Sequence, residues 1–232
     1  MNRRGKQSVT FNGDKDLIFD MDGTLFQTET VAVPAFRRTF QRLRVSGRVQ
    51  GERPTDERVC SVFGKTPPEI WDRLLPGSSE EVKEQADQWW LQDELDCLSE
   101  GMGALYPGVE EGLRDLRDRG WRLFIASNGL GPYVRGILVT FGLTSLFSGI
   151  YAAGEHQIGE KKRLVGKLIQ EHQVTSGWMI GDRSSDVQAG KANGLPVIGC
   201  RYADFPSFGE EDELEGADQV IDSFQEILEI VD

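Results

Sequence analysis

Short apolar runs alternate with amphipathic segments along the second half of this 232-residue chain. Five of these runs are four residues or fewer, are nearly all apolar, and are typical of buried strands. They cover residues 123–126, 149–152, 178–180, 196–199 and 219–221. Strands of this kind, alternating with helices, predict an α/β fold whose parallel sheet is covered on both faces.

The segments between these runs repeat apolar residues at the three- and four-residue spacing of helices. The repeats are Val109, Leu113 and Leu116, then residues 134–141, and then residues 164–169. Glycines at positions 120, 142 and 194 lie where such helices would stop, since glycine readily takes the backbone conformation that ends a helix.

The first predicted strand, residues 17–19, is separated from the others by a long segment with helical patterns. Proline- and glycine-containing stretches divide that segment into several helices. Two apolar faces can be traced in it, namely Phe36, Phe40 and Leu43, and then Val82, Ala86 and Trp89. The sequence therefore predicts a core domain made of residues 1–26 and 104–232, with a helical domain of residues 27–103 inserted after the first strand.

Composition narrows the possible partners. The chain has 38 acidic and 26 basic residues and a net charge of -12, which disfavours binding to nucleic acid or to an anionic membrane. No apolar run is long enough to span a bilayer, and residues 1–16 lack the apolar segment of a signal peptide. Two histidines and three widely spaced cysteines offer little material for a zinc site. We expect a cytoplasmic protein, with its oligomeric state left open.

Two carboxylates lie directly after the first predicted strand, in Asp20-Met21-Asp22-Gly23. Side chains alternate along a strand, so Asp20 and Asp22 are expected on one side until the glycine lets the chain turn. Carboxylates held this close repel each other unless a cation or a proton lies between them. The pair suits a divalent metal and a nucleophile beside an acid or base. A plain turn is one alternative; an EF-hand calcium loop is another, although Ile18 stands where its first ligand belongs.

Three further polar features follow at the sheet edge where open α/β proteins bind ligands. The first feature is Ser127-Asn128-Gly129, whose hydroxyl and glycine-containing turn can hold a phosphate oxygen, although a helix cap has the same sequence. The second is Lys161-Lys162, where a lysine can neutralise phosphate, although paired lysines are usually solvated. The third is the segment from Asp182 to Asp186, whose carboxylates can complete a magnesium site with Asp20, although an aspartate also caps helices.

The order of these motifs resembles the haloacid dehalogenase-like (HAD) hydrolase superfamily. The segments 20–24 and 181–186 carry its two specific motifs, and the serine and lysine motifs support them. The resemblance extends from about Lys15 onward and is greatest to the phosphoglycolate phosphatase-like branch, with residues 106–109 reopening the core. It implies a doubly wound parallel sheet, the Rossmann-like HAD core, with a helical cap domain inserted after the first strand.

The resemblance also implies a role for each motif residue. Asp20 would be the nucleophile that forms an aspartyl-phosphate. Asp22 would protonate the leaving oxygen and then deprotonate the attacking water. Mg²⁺ would be bound by Asp20, Asp182 and the carbonyl of Asp22, with Asp186 nearby or acting through water. The residues expected to bind substrate phosphate are Thr24, Ser127, Asn128, Gly129 and Lys161.

Two lysine assignments follow from the same resemblance. Lys161 is expected in the site rather than Lys162, because the family pattern sets the lysine three residues before an apolar pair, here residues 164–165. In resembling proteins a glycine-bearing cap loop reaches over the active site, which makes Lys65 a candidate contact for the part of the substrate remote from the phosphate. A solvated turn at Gly64-Lys65 is the alternative.

The predicted function is a Mg²⁺-dependent phosphatase for a small phosphorylated metabolite, such as a phosphoglycolate-like acid, a sugar phosphate or a nucleotide. Dehalogenase members of the superfamily lack the second aspartate, so Asp22 argues against dehalogenation. A sugar phosphate mutase uses the same motifs and stays an alternative. A non-catalytic binding or regulatory protein of the same fold is a second one.

Overall fold

The computed structural model describes residues 15–65, 67–156, 158–202 and 213–231; the expectations for residues 1–14 lie outside these ranges. Its described strands form one sheet of six parallel strands in the order β3-β2-β1-β4-β5-β6. They are β1 (Asp16–Phe19), β2 (Arg122–Ser127), β3 (Phe147–Ala152), β4 (Gly177–Gly181), β5 (Val197–Cys200) and β6 (Gln219–Ile221). The predicted α/β fold with a doubly wound parallel sheet is confirmed.

All six apolar runs form strands, with ends that differ from the predicted ones by at most two residues. Strand β1 is central because Leu17 pairs with Leu123 of β2 on one side and with Trp178 of β4 on the other. The chain extends the sheet through β2 and β3 and then returns to place β4 beside β1. This reversal leaves a crevice at the carboxyl ends of the neighbouring strands, where open α/β sheets bind ligands.

Helices cover the sheet on both faces. Successive strand residues point to opposite faces, and accordingly Leu17 and Phe19 belong to one apolar cluster whereas Ile18 belongs to the other. The helices of this part are α5 (Val109–Asp118), α6 (Gly131–Thr140), α7 (Ala153–His156), α8 (Lys161–His172), α9 (Ser184–Ala192) and α10 (Gln225–Ile230). Helices α5, α6 and α9 each end two residues before a glycine predicted to stop them.

The segment after β1 is helical, as predicted. Its helices are α1 (Glu29–Val45), α2 (Asp56–Cys60), α3 (Pro67–Leu74) and α4 (Glu80–Ser99). Helices α1 and α4 pack together, and aromatic rings of Phe36, Trp71 and Trp90 meet at centroid distances of 5.3 to 6.3 Å. The predicted face of Val82, Ala86 and Trp89 packs against the apolar core. Trp90 is buried in addition, and Trp89 also lies beside the guanidinium of Arg42.

The helical segment leaves and rejoins the core at adjacent points. Phe26 forms an isolated antiparallel bridge with Leu105, and the N–H of Gln27 donates to the carbonyl of Ala104 over 2.9 Å. We therefore propose that residues 27–103 form a cap domain on a core of residues 1–26 and 104–232. Among the described residues no helix has the length and apolar content needed to cross a membrane.

Candidate active site

Three strands bring predicted site residues to one edge of the sheet. Asp20 follows β1, Ser127 ends β2, and Asp182 follows β4. Since β1 pairs in parallel with both neighbours, the carboxyl ends of these strands lie side by side. The N–H of Asp20 also donates to the carbonyl of Ile180 over 2.9 Å, which extends the pairing of β1 with β4 to the position of Asp20.

A cluster of buried carboxylates lies at this edge. Carboxylate oxygens of Asp20, Asp182 and Asp186 all lie within 4.8 Å of one another. The ammonium of Lys161, at the first position of α8, lies 2.7 Å from Oδ1 of Asp20 and also contacts Asp186. Burial acts to lower the pKa of Lys161, but the carboxylates of Asp186 and Asp20 outweigh it and raise that pKa. The lysine is therefore held as a cation.

The neighbouring lysine lies elsewhere. Lys162 is half exposed and its ammonium is 3.3 Å from the carboxylate of Glu160. The structure thus brings Lys161, and not Lys162, to the aspartates. The difference comes from the helix itself, because consecutive helical residues point in directions about 100° apart.

Positive charge within the cluster falls short of the negative charge. Burial, together with the charges of Asp20 and Asp186, raises the pKa of Asp182 well above its usual range. Burial also raises the pKa of Asp186 to about 6, although Lys161 acts to lower it. A second cation, the guanidinium of Arg183, lies 3.4 Å from the carboxylate of Asp182. Closely spaced carboxylate oxygens with too little counter-charge are a donor set that fits Mg²⁺, a hard cation bound through oxygen.

Gly23 lets the first motif turn against the aspartate after β4. Its φ is +75°, and a Cβ at this position would lie 2.3 Å from Oδ2 of Asp182. Any side chain here would be strained and would also displace that carboxylate. The glycine therefore has a role in the site as well as in the turn.

Thr24 was predicted to bind phosphate, and its hydroxyl contacts an aspartate of the site in the described structure. The side chain is fully buried, and its hydroxyl donates to Oδ1 of Asp182 over 3.2 Å. It does not line the cavity described below. The hydroxyl orients a candidate metal ligand, because a buried polar group is satisfied by the nearest acceptor.

Asp22 is held by two hydroxyl groups that the motifs did not predict. Thr28 donates to Oδ1 of Asp22 over 2.8 Å, and Tyr133 donates to the same oxygen over 2.9 Å. Burial and the charge of Asp20 raise the pKa of Asp22 to about 6, although both hydroxyls act to lower it. A carboxyl with this pKa can exist in both forms near neutral pH, as a residue that first gives and then takes a proton must.

The serine motif forms a tight turn at the end of β2. Oγ of Ser127 accepts the N–H of Gly129 over 3.0 Å, while Asn128 is exposed. All three residues line a cavity of about 150 Å³ above the aspartates. The serine hydroxyl and the exposed turn thus face the same space as Asp20.

Helical-segment residues form the other walls of this cavity. Lys65, on the loop after α2, lines it beside Phe63 and Gly64. The guanidinium of Arg183 donates to the carbonyl of Phe63 over 3.3 Å, which ties this loop to the core. Trp90 and Glu94 of α4 line the cavity as well. Sequence reasoning did not single out Glu94 or Arg183, because only the tertiary contact between the two parts of the chain reveals them.

The local structure also bears on the calcium alternative. The residues before Asp20 form a strand in the centre of the sheet. An EF-hand loop is instead preceded by a helix. The geometry therefore does not support a calcium loop at residues 18–29.

Comparisons with known proteins agree with this architecture. Residues 17–200 match the profile of the family described as haloacid dehalogenase-like hydrolase. A phosphoglycolate phosphatase of Colwellia psychrerythraea is 27% identical over 225 residues, which are 91% of this chain and 94% of that protein. A probable phosphatase of Dickeya dadantii, IndB, is 24% identical over 91% of each chain. The crystal structure of CbbY from Rhodobacter sphaeroides in complex with phosphate is 24% identical, with a TM-score of 0.76 over 93% of this chain and 96% of that one.

Proposed function

Because the chain belongs to the haloacid dehalogenase-like hydrolase family and is a phosphatase, we propose that it hydrolyses a small phosphomonoester through an aspartyl-phosphate, with Mg²⁺ as cofactor. One observation carries this proposal most directly. The carboxylate of Asp20 lies 2.7 Å from the ammonium of Lys161, at a cavity that Asp22 and Ser127 also line. The groups that we propose as nucleophile, cation, acid and phosphate-binding hydroxyl therefore lie close together.

In the first step, a carboxylate oxygen of Asp20 attacks phosphorus and the bond from phosphorus to the ester oxygen breaks. Protonated Asp22 gives its proton to that oxygen, so that the product leaves as a neutral alcohol. An anionic nucleophile approaches an anionic phosphate only where positive charge offsets the repulsion. Lys161 supplies part of this positive charge, since its ammonium is paired with the carboxylate of Asp20.

In the second step, Asp22 is a carboxylate and removes a proton from water. The resulting hydroxide attacks phosphorus, the acyl phosphate bond to Asp20 breaks, and inorganic phosphate is released. Splitting the reaction in this way replaces one difficult displacement by two easier ones. Thr28 and Tyr133 keep the Asp22 carboxyl in one orientation for both steps.

Magnesium would be held by Asp20, Asp182 and the backbone carbonyl of Asp22, with Asp186 bound directly or through water. When bound, it would neutralise charge on the carboxylates and on the phosphoryl oxygens. Ser127, Asn128 and Gly129 would bind the phosphoryl group from the side of β2.

The substrate is proposed to be a small metabolite. The cavity of about 150 Å³ is closed on one side by the helical segment, so a compact alcohol portion fits it better than a polymer does. The name of the relative from Colwellia makes phosphoglycolate one candidate to test. Lys65 is proposed to contact the part of the substrate remote from the phosphate. No feature of the described site favours a mutase or a non-catalytic protein.

Hydrolysis of p-nitrophenyl phosphate tests the proposed function. The purified protein should release p-nitrophenol with Mg²⁺ and lose that activity in excess EDTA. Asp20→Asn should be inactive while its circular dichroism spectrum and melting temperature stay close to those of the wild type. Full turnover in EDTA would contradict the metal dependence, and turnover by Asp20→Asn would contradict the nucleophile.

A further inference from the structure

One face of helix α4 forms a wall of the cavity. Its residues follow the i, i+3, i+4, i+7 spacing that places side chains on one side of a helix. They are Asp87, Trp90, Leu91 and Glu94. Asp87 already accepts the indole N–H of Trp71 over 2.9 Å. This wall therefore presents carboxyl groups beside an aromatic ring to whatever enters the cavity.

Glu94 differs from the other acidic residue on this face. Within the described parts of the chain its carboxyl has neither a hydrogen-bond partner nor an ion-pair partner, although the side chain is more than half buried. The charged groups that act on it are Asp22, Asp87 and Asp93, all of them carboxyls. A partly desolvated polar group of this kind costs stability unless something satisfies it.

We infer that Glu94 selects the substrate by accepting a hydrogen bond from a hydroxyl or ammonium group on the alcohol portion of the phosphomonoester, and that it disfavours a carboxylate there. The inference rests on the proposed phosphatase function and names the substrate class for that same site. The acceptor role holds for either protonation state of Glu94, because a carboxylate and the carbonyl oxygen of a carboxylic acid both accept hydrogen bonds, whereas repulsion of a substrate carboxylate requires the ionised form.

Electrostatic repulsion disfavours a carboxylate at this wall. A substrate carboxylate beside ionised Glu94 would add one more negative charge to a wall that already includes Asp87. Repulsion at close range excludes a competing ligand as effectively as attraction favours the correct one. A hydroxyl or ammonium group instead satisfies Glu94, and an ammonium also gains from the nearby ring of Trp90.

Lys65, which also lines the cavity, lies on a different element from Glu94. Lys65 is on the loop whose Phe63 carbonyl accepts from Arg183, whereas Glu94 is on α4, which packs against α6. The cavity thus offers a donor from one element and an acceptor from another. A hydroxylated alcohol portion can use both groups, while a carboxylate can use a donor such as Lys65 but offers no hydrogen to Glu94.

Four small phosphomonoesters of similar size separate these possibilities. Ethyl phosphate has no polar group on its alcohol portion, and 2-hydroxyethyl phosphate, 2-aminoethyl phosphate and phosphoglycolate add a hydroxyl, an ammonium and a carboxylate. Each is assayed with Mg²⁺ for kcat/KM by release of inorganic phosphate. The hydroxyl or the ammonium ester should exceed both ethyl phosphate and phosphoglycolate by about tenfold or more, the value of a hydrogen bond to a charged group.

Two variants assign the preference to Glu94. Glu94→Leu removes the acceptor and should bring the ammonium ester down to the level of ethyl phosphate. It should lower kcat/KM for the hydroxyl ester about tenfold, because that ester keeps its contact with Lys65. Glu94→Gln keeps an acceptor oxygen without charge, so it should spare the hydroxyl ester and weaken the ammonium ester if ammonium is the natural group. Glu84→Leu, at an exposed position of the same helix, is the matched control and should leave all ratios unchanged.

The outcomes distinguish failure of the Glu94 inference from failure of the proposed phosphatase function. If p-nitrophenyl phosphate is hydrolysed but phosphoglycolate is the best of the four esters, and Glu94→Leu leaves the order unchanged, the inference is wrong while the phosphatase stands. If neither p-nitrophenyl phosphate nor any of the four esters is hydrolysed, the proposed function itself fails.

Discussion

The hydroxyl of Tyr133 donates a hydrogen bond to Oδ1 of Asp22 over 2.9 Å, joining helix α6 to the turn after β1. Thr28 donates to the same oxygen over 2.8 Å. Among the described residues nothing donates to the other oxygen, Oδ2, and Asp22 lines the cavity. One oxygen of the proposed acid is therefore fixed by the protein, and the other is available for proton transfer to and from the substrate.

Tyr133→Phe removes one of these two hydrogen bonds and should lower kcat by roughly tenfold with little change in KM. The hydroxyl acts to lower the pKa of Asp22, so its loss should raise that pKa. Since Asp22 must be protonated for the first step, kcat/KM falls as pH rises through its pKa, and this fall should move to higher pH in the variant. Tyr151→Phe, which removes a hydroxyl outside the cavity, is the control. An unchanged pH profile in Tyr133→Phe would contradict this role.

Gly23→Ala tests the contact between the first motif and the aspartate after β4. The added Cβ would lie 2.3 Å from Oδ2 of Asp182, so we expect loss of most activity and a higher Mg²⁺ requirement. Gly47→Ala is a matched control, because Gly47 has a φ of +71° but a Cβ added there would meet no other described atom within 4 Å. Both variants should lose about 1–2 kcal/mol of stability from the left-handed backbone. Only Gly23→Ala should lose Mg²⁺-dependent activity, and equal activity in the two would contradict the proposed contact.

Metal removal should expose repulsion among the buried carboxyls. The pKa values of Asp22 and Asp186 are raised from 3.8 to about 6 in the folded protein, so the folded state binds more protons than the unfolded state in this range. Stability of the metal-free protein should therefore fall as pH rises from about 4 to 6. Thermal melts in EDTA measure this fall.

Asp182→Asn separates the repulsion from the metal site. It removes one carboxylate, so the melting temperature in EDTA at neutral pH should rise relative to the wild type, while Mg²⁺ should stabilise the variant much less. Calorimetric titration should show weaker Mg²⁺ binding by the variant. Equal Mg²⁺ affinity in the two proteins would remove Asp182 from the metal site.

Lys65→Ala should lower kcat/KM about ten- to hundredfold for a substrate whose alcohol portion carries an acceptor, which is the range of a charge-assisted contact. Hydrolysis of ethyl phosphate should barely change, because that ester offers the lysine no group to contact. Lys83→Ala is the control, since Lys83 is paired with Asp72 and Glu80 on the surface of the helical segment. Equal losses on both esters would show that Lys65 acts on the phosphate or on the fold instead.

The sequence predicted the strands and the residues at their carboxyl ends, because both follow from short-range patterns of apolar and polar residues. Each strand was recognisable because residues buried on both faces of a sheet are nearly all apolar. Asp20, Ser127 and Asp182 could be expected to meet because the carboxyl ends of parallel strands share one edge of the sheet. The resemblance to the family, rather than local physics, favoured Lys161 over Lys162, and Lys161 lies beside the aspartates.

Other features depend on contacts between distant segments and left no local signal. The sequence around Tyr133 predicts only a helix, and the role of its hydroxyl becomes visible only when α6 packs against the turn after β1. The sequence around Glu94 predicts a solvated helix residue, and its position at the cavity becomes visible only when the helical segment folds over the sheet. Thr24 was predicted to bind phosphate, and only the folded chain shows that its hydroxyl donates to Asp182.

The covalent intermediate on Asp20 is the central claim, and rapid-quench mass spectrometry tests it most directly. The wild type is mixed with substrate and Mg²⁺, quenched in acid within milliseconds, digested at low pH and examined for a peptide that carries Asp20. A mass increase of one phosphoryl group on that peptide, lost on treatment with hydroxylamine and absent in Asp20→Asn, is the predicted result. Rapid turnover with no phosphorylated peptide at any quench time, or phosphorylation that persists in Asp20→Asn, would contradict the account.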